Sequence, residues 1–337
     1  MAAAGRNQRP PRRTNRNRTC RRHDDRAADC AAMNGTVQRG TALIIAMVIA
    51  ALAATVAMSL AANQQQWFAS MMNRRDQVQA QALAQAGVQW ARQILFEDAR
   101  TTNIDTLAEP WAFPLPTTPL ENGSVEGRII DVQGLLNVNN LVSGDVDVAA
   151  ERARFERLFA RLGLPSTSLD AIADWIDADS VTRASGAEDG WYAQQSNPML
   201  AANAPVVRTA EIALVRGMSP AAVTALAPYV VALPAPTKLN VNTASGPVLA
   251  VSVDSLGATG LSALLASRAE TPFTSVADFR TRLPQGATIQ SEAGFDVRSS
   301  YFLVTVVARQ GDTRAQARAL LERGKGAWPT IVWQTLE

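Results

Sequence analysis

The first strong pattern along the chain is a run without alternation. Residues 41–62, TALIIAMVIAALAATVAMSLAA, are 22 consecutive uncharged and mostly apolar positions. As a helix rising ~1.5 Å per residue, the run covers about 33 Å, enough to cross the hydrocarbon layer of a bilayer. A buried core helix is the competing reading, but core helices rarely reach this length without a polar face. Helical character continues beyond the run. No proline occurs between Thr41 and Glu109, and residues 63–97 are rich in Gln, Ala, Arg and Met, all good helix formers. Leu83, Gly87, Trp90 and Ile94 recur at spacings of four, three and four, which predicts one apolar stripe. The expectation is a single helix ending near residue 97, amphipathic in its second half.

The pattern then changes period. Ser124–Asp131 reads as a strand behind an Asn122-Gly123 turn. At the far end, SSYFLVTVVARQGDTRAQARALLER reads as two strands joined at Gln310-Gly311-Asp312, with Ile331–Trp333 as a last edge strand. The long stretch between is helical. Phe155, Leu158, Phe159 and Leu162 fall at i, i+3, i+4 and i+7. Leu169, Ile172 and Ile176 continue that spacing behind a cap at Ser166–Ser168. Ser219-Pro220 marks another helix start, with Ser as cap and Pro in the first turn. These patterns predict an α+β chain: a long N-terminal helix and a small antiparallel sheet, the sheet split by a large all-α insertion.

Composition changes this picture in one place. The chain has 337 residues and a net charge of only +2, but residues 1–40 hold ten arginines against three aspartates. Basic residues ahead of an apolar run place that end in the cytoplasm and the remainder across the membrane. Both cysteines, Cys20 and Cys30, and the single histidine, His23, also lie there. If residues 1–40 are removed, thiol catalysis, histidine general-base chemistry, structural zinc and disulfides are all excluded.

The boundary itself narrows the choice. A secretory signal is cut after its apolar region, whereas here Arg39-Gly40 directly precedes it. This resembles the processing site of type IV prepilin-like proteins. The resemblance implies a cut after Gly40, with Thr41 as the new N-terminus and the apolar helix retained. A start at Met33 would give the leader MNGTVQRG, a more usual length for such proteins. The resemblance also implies a Glu five residues into the mature chain, paired with the amine of the subunit above. The fifth residue here is Ile45. A subunit lacking that carboxylate fits at the top of a filament; a pilin-like anchor that never assembles is the alternative.

DAIADWIDADSVTRASGAEDGWY, NAPVVRTAEIALVRGMSP and KLNVNTASGPVLAVS resemble the K-type minor pseudopilins of type II secretion systems, across nearly all of residues 33–337. Thr41 departs from the family, where a hydrophobic first residue is commoner. The resemblance implies a leader at 1–40 and a long helix at 41–110, transmembrane at 41–62. The first part of the head would be 111–138. An inserted domain of two SAM-like subdomains would occupy about 139–236 and 237–290, with C-terminal strands at 291–337. It implies a non-enzymatic subunit at a pseudopilus tip, helping to start or cap assembly. It also implies a single pass through the inner membrane, N-terminus cytoplasmic and head periplasmic. The implied partners are the I-type and J-type minor pseudopilins, the major pseudopilin below and a prepilin peptidase.

Candidate chemistry is confined to one acidic segment. Asp174, Asp177, Asp179, Glu188 and Asp189 gather within sixteen residues. Asp177-x-Asp179 followed by a loop to Glu188-Asp189 is a way to bring oxygen ligands around Ca²⁺. It is not an EF-hand, because Thr182 stands where that loop needs Gly. Hard oxygen donors without His or Cys favour Ca²⁺ over transition metals, and the family resemblance implies calcium in the helical domain. A solvated acidic loop and a hydrolytic carboxylate pair are the alternatives. Trp175, Trp191 and Tyr192 read as core or interface aromatics.

Residues 239–268 also resemble helix-hairpin-helix modules, with Leu256–Gly260 as the hairpin. That feature supports an alternative function, a membrane-anchored DNA-uptake module. Phosphate binding of this kind needs basic neighbours. From Lys238 to Pro284 the four cations Lys238, Arg268, Arg280 and Arg282 face the three acids Asp254, Glu270 and Asp278. Nucleic acid is therefore not the expected partner.

Overall fold

The computed structural model describes residues 38–144, 146–324 and 326–337. Met33, His23 and both cysteines lie outside the described residues. The chain divides into two compact units, Met1–Gln66 and Trp67–Glu337. Helix α1, Gln38–Thr101, contributes to both.

In the first unit, every described side chain on α1 from Gly40 to Gln66 is exposed. Two of the three hydroxyl groups of the apolar run bond within the helix: Thr55 donates to the Leu52 carbonyl and Ser59 to the Val56 carbonyl, both at 2.8 Å. Neither of these two donors then needs water, as a helix in lipid requires. Gly40 and Thr41 lie inside the helix near its start.

In the second unit, α1 continues to Thr101, a few residues past the expected end. Its buried face is Ala80, Ala84, Val88, Ala91 and Leu95, not the predicted stripe. Leu83 and Ile94 flank that face, and Trp90 is half exposed. The stripe is rotated because small side chains let the helix lie closest to the sheet. A Cβ on Gly87 would come 2.6 Å from Val306 Cγ1.

The sheet has five antiparallel strands. They are β1 (Leu115–Leu120), β2 (Gly123–Asp131), β3 (Tyr301–Gln310), β4 (Thr313–Glu322) and β5 (Thr330–Leu336), in spatial order one to five. Both expected hairpin turns form, with positive φ at Asn122 and Gly311. β1 was not legible as a strand, since LPTTPL carries two prolines. An edge strand tolerates them, and the register there is irregular. β5 is longer than the expected Ile331–Trp333. Phe302, Val304, Val306 and Ala308 of β3, with Ala315, Ala317, Ala319 and Leu321 of β4, form one core with α1.

β2 and β3 are neighbours in register from Gly123↔Gln310 to Asp131↔Phe302. All of residues 132–300 therefore leave and return between two adjacent strands. Within them lie α2 (Ala149–Leu162), α3 (Ser168–Ile176), α4 (Asp189–Tyr192), α5 (Pro220–Leu226), α6 (Gly246–Ser252), α7 (Ala258–Glu270) and α8 (Val276–Thr281). They share one apolar core that includes Phe155, Leu158, Phe159, Leu169, Ile172 and Ile176. Ser219 caps α5 through the Ala222 N–H as expected. Ser166–Ser168 does not cap α3: Thr167 precedes it in helical conformation with no side-chain cap.

A short motif and its clasp recur within the insertion. Leu136-Asn137-Val138-Asn139 returns as Leu239-Asn240-Val241-Asn242. In each copy the Leu-Asn pair forms a short parallel ladder, with Val230–Val231 and with Phe295–Asp296. Asn139 grips the N–H and C=O of Val206. Asn242 grips those of Phe273 in the same way. The two clasps span 67 and 31 residues. The first copy is thus longer by a segment, and that segment carries the acidic residues.

Buried polar groups join the sheet to the insertion. Asp131, at the end of β2, accepts from Gln133 N–H, Asn240 Nδ2, Thr243 Oγ1 and Ser299 Oγ. Arg323 donates to Asp98 Oδ2 at 2.6 Å, Asp105 Oδ1 at 2.5 Å and the Ser299 carbonyl. Each group sits on a different segment, so the insertion is anchored by directional bonds as well as by apolar packing.

Candidate metal centre

The last turn of α3 and the start of α4 bracket the acidic loop. Asp174 is fully buried and ties the loop back. Its carboxylate accepts from the Arg183 N–H, from Arg183 Nη1 at 2.7 Å and from the Ala187 N–H. Asp170 accepts from the Ser185 N–H at 3.0 Å and from Arg152 Nη2 at 2.6 Å. Gly186 is indispensable to this path, because a Cβ there would come 1.8 Å from Asp174 Oδ2.

The fold so imposed brings three carboxylates together. Asp177, Asp179 and Glu188 each present an oxygen, and these lie within 4.8 Å of one another. Asp177 and Glu188 are buried and Asp179 is half-buried. Asp177 Oδ2 accepts from Arg183 Nη1, and Asp179 Oδ1 accepts from the Val181 N–H at 2.6 Å. The remaining oxygen of Asp177 and both oxygens of Glu188 are buried without a hydrogen-bond partner. Burial, and then the charges of Asp174, Asp177, Asp179 and Asp189, pushes the Glu188 carboxyl up to about 7. Burial also raises Asp177 and Asp174, against the lowering effect of Arg183.

Buried carboxylate oxygens are normally satisfied. Three orphans converging from two residues, beside a third carboxylate, form a cradle for a hard cation. The residues present fit Ca²⁺. Of the five candidates from the sequence, Asp177, Asp179 and Glu188 are brought together. Asp174 is engaged with the loop backbone and Arg183, and Asp189 Oδ1 accepts from the Ala201 N–H at 2.8 Å. Arg183 was not anticipated, although a cation inside an acidic run is a visible signal. Trp175 and Tyr192 are buried and meet edge to face at 5.1 Å, as do Trp191 and Tyr192 at 4.9 Å. They form the wall behind the loop.

A second acidic group, Asp98, Asp105 and Glu109, also converges, but protein donors fill it. Arg323 bridges the two aspartates, and Glu109 Oε2 accepts from Trp111 Nε1 and the Thr106 N–H, both at 2.8 Å. Burial is the main reason Asp98 rises to about 6.

The hairpin before α7 offers no comparable site. Arg268 donates to the Val241 and Ala244 carbonyls, and Arg282 to those of Ser267 and Thr271. Arg280 pairs with Glu292 and Lys238 with Asp296. Arg268 and Arg282 are thus committed within the fold, and Arg280 and Lys238 each face an acid at the surface.

Residues 134–235 and 239–298 match two family models, both described as Type II secretion system (T2SS), protein K. The protein of that name from Pseudomonas aeruginosa is 32% identical over 300 residues, covering 86% of this chain and 90% of its own. Its counterpart from Aeromonas hydrophila is 30% identical over 310 residues, covering 86% and 94%. The chain belongs to the protein K family of the type II secretion system. The protein K fold is also seen in the crystal structure of the GspK-GspI-GspJ complex from enterotoxigenic Escherichia coli. That match has a TM-score of 0.68 at 22% identity and covers 80% of this chain and 99% of the other. The two protein K models meet between residues 235 and 239, ahead of the second Leu-Asn-Val-Asn clasp. The acidic loop lies wholly within the first match.

Proposed function

We propose that this chain is the minor pseudopilin at the tip of a type II secretion pseudopilus, where it starts or caps assembly. The observation that carries the tip placement is the insertion of residues 132–300 between adjacent strands of the head. A domain of that size would crowd neighbours along a shaft and is accommodated where no subunit lies above. Ile45 supports the same position, because an apolar residue there cannot pair with the amine of a higher subunit. The role is structural rather than catalytic. Residues 41–337 contain no His or Cys, and the buried unsatisfied carboxylate oxygens among the described residues, on Asp177 and Glu188, suit a cation.

The solved complex of a protein with this fold contains GspI and GspJ. That supports I-type and J-type minor pseudopilins as partners here, with a major pseudopilin beneath. Cleavage after Gly40 by a prepilin peptidase would leave Thr41 at the N-terminus. The single apolar helix would hold the chain in the inner membrane, with its N-terminus cytoplasmic and its head periplasmic. Co-expression of the full chain with the peptidase and both partners, followed by detergent extraction, tests this reading. The expected result is a three-protein complex whose K-type subunit begins at Thr41. Failure of the processed chain to associate with either partner would overturn it.

Calcium belongs to the same proposal, held by Asp177, Asp179 and Glu188. The ion would neutralise the buried carboxylates and fix the loop between α3 and α4. Arg183 holds Asp177 and Asp174 in place from the other side. Thermal melting of the full chain in detergent, with calcium and with chelator, reads this directly. Selective binding to the folded state at 100 times Kd adds about 2.7 kcal/mol; equal midpoints would remove the ion from the account.

A further inference from the structure

The two edges of the sheet are built differently. β1 carries Pro116 and Pro119 and an irregular register, devices that block further pairing. β5 reads TIVWQTL, with no proline, glycine or charge. Among the described residues, it pairs only with β4.

The direction of its free backbone groups follows from one pair. Glu337 and Gln316 exchange both backbone bonds, at 2.9 and 2.7 Å. Hydrogen-bonded and non-bonded pairs alternate along an antiparallel ladder. With Thr335 opposite Arg318 and Trp333 opposite Leu320, those residues bond inward to β4. The N–H and C=O of Gln334 and Leu336 therefore point out of the sheet.

The chemistry beside this edge is also uneven. On the face away from α1, Arg208 stacks on Trp333 at 5.5 Å. Arg208 and Arg318 line a cavity of about 300 Å³ with Trp333, Thr335 and Glu337. Neither guanidinium has an ion-pair partner among the described residues, and among the side chains of the lining Glu337 alone is acidic.

We propose that β5 accepts an added strand from a neighbouring pseudopilin head, an extended segment carrying an acidic side chain toward Arg208 and Arg318. Main-chain bonds to Gln334 and Leu336 supply affinity, and the guanidinium pair supplies register. A second copy of this chain is a poorer occupant. Two β5 strands related by a two-fold axis would bring both guanidinium pairs together. The proposal rests on the minor-pseudopilin reading for the identity of the neighbour.

The test compares amide hydrogen exchange in the full chain alone and in the complex with the I-type and J-type minor pseudopilins. The amides of Gln334 and Leu336 are expected to slow at least tenfold in the complex, while Thr335, already bonded inward, changes little. Gln334→Pro removes an N–H that β4 does not use; it is expected to weaken the complex at least tenfold with an unchanged melting temperature. Should that variant misfold, the wild-type exchange rates decide. A complex that forms with both amides still exchanging at the free rate overturns the strand addition and leaves the functional reading intact. Wild-type chain that binds neither partner overturns both. Protection that grows with the concentration of the chain alone assigns the edge to self-association and overturns the proposed occupant.

Discussion

Gly186 lies against the buried carboxylate of Asp174, with no room between them for even a methyl group. A Cβ at residue 186 would stand 1.8 Å from Asp174 Oδ2, so Gly186→Ala must expel that carboxylate from its bonds with the Arg183 and Ala187 N–H groups. A displaced buried carboxylate costs on the order of 3 kcal/mol. The expected outcome is a lower melting temperature and at least a tenfold loss of calcium affinity, checked by differential scanning calorimetry and calcium titration. Unchanged affinity would show that Asp174 does not position the loop.

Glu188 should reveal the cation by a change of sign. Without calcium, its two buried oxygens are unsatisfied beside Asp177 and Asp179, so Glu188→Gln removes a destabilising charge. The variant is expected to melt higher than wild type in chelator and lower than wild type in calcium. Thermal scans under both conditions check this; a variant that shifts in the same direction in both would refute the assignment.

Arg323 neutralises two buried aspartates at once. Arg323→Met would leave Asp98 and Asp105 without their shared partner, a change expected to cost about 3–5 kcal/mol. Urea denaturation of the full chain in detergent measures it. A loss below about 1 kcal/mol would mean that water already screens the pair.

Asp131 makes stability depend on pH. Burial outweighs its four hydrogen-bond donors and raises the carboxyl from 3.8 to about 6. The native state thus holds a proton that the unfolded chain releases between those values. Its stabilising contribution is complete below about pH 4 and is lost as pH rises through about 6. Asp131→Asn is expected to remove a downward slope of up to about 1.4 kcal/mol per pH unit in that window. Denaturation curves at pH 4 to 7 for both proteins test the sign; identical slopes would place the residue's titration elsewhere.

Much of the fold was legible because periodicity reports burial directly. The strands around Gly311 and the α2 repeat of Phe155, Leu158 and Phe159 are such signals, whereas the unbroken run at 41–62 was legible from its length and lack of charge. The helix face on the sheet was misread because Ala80, Ala84 and Ala91 carry little hydrophobic weight, yet close approach selects small side chains. β1 was missed because prolines argue against a strand until its edge position is known. Among the acids, proximity in sequence marked the loop but not the ligands. What sets Asp177 and Glu188 apart is the buried oxygens they keep without a partner, whereas Asp174 bonds the Arg183 N–H and Asp189 the Ala201 N–H.

By itself, the sequence determined that this protein has a membrane-length helix, a sheet interrupted by helices and a single acidic segment. These follow from local composition and spacing, which need no partner to be read. Only the tertiary structure decided which carboxylate oxygens are left unsatisfied, how the two asparagine clasps align and which edge of the sheet stays open. Those properties depend on groups far apart in the chain meeting at hydrogen-bond distance, and no local pattern encodes that meeting.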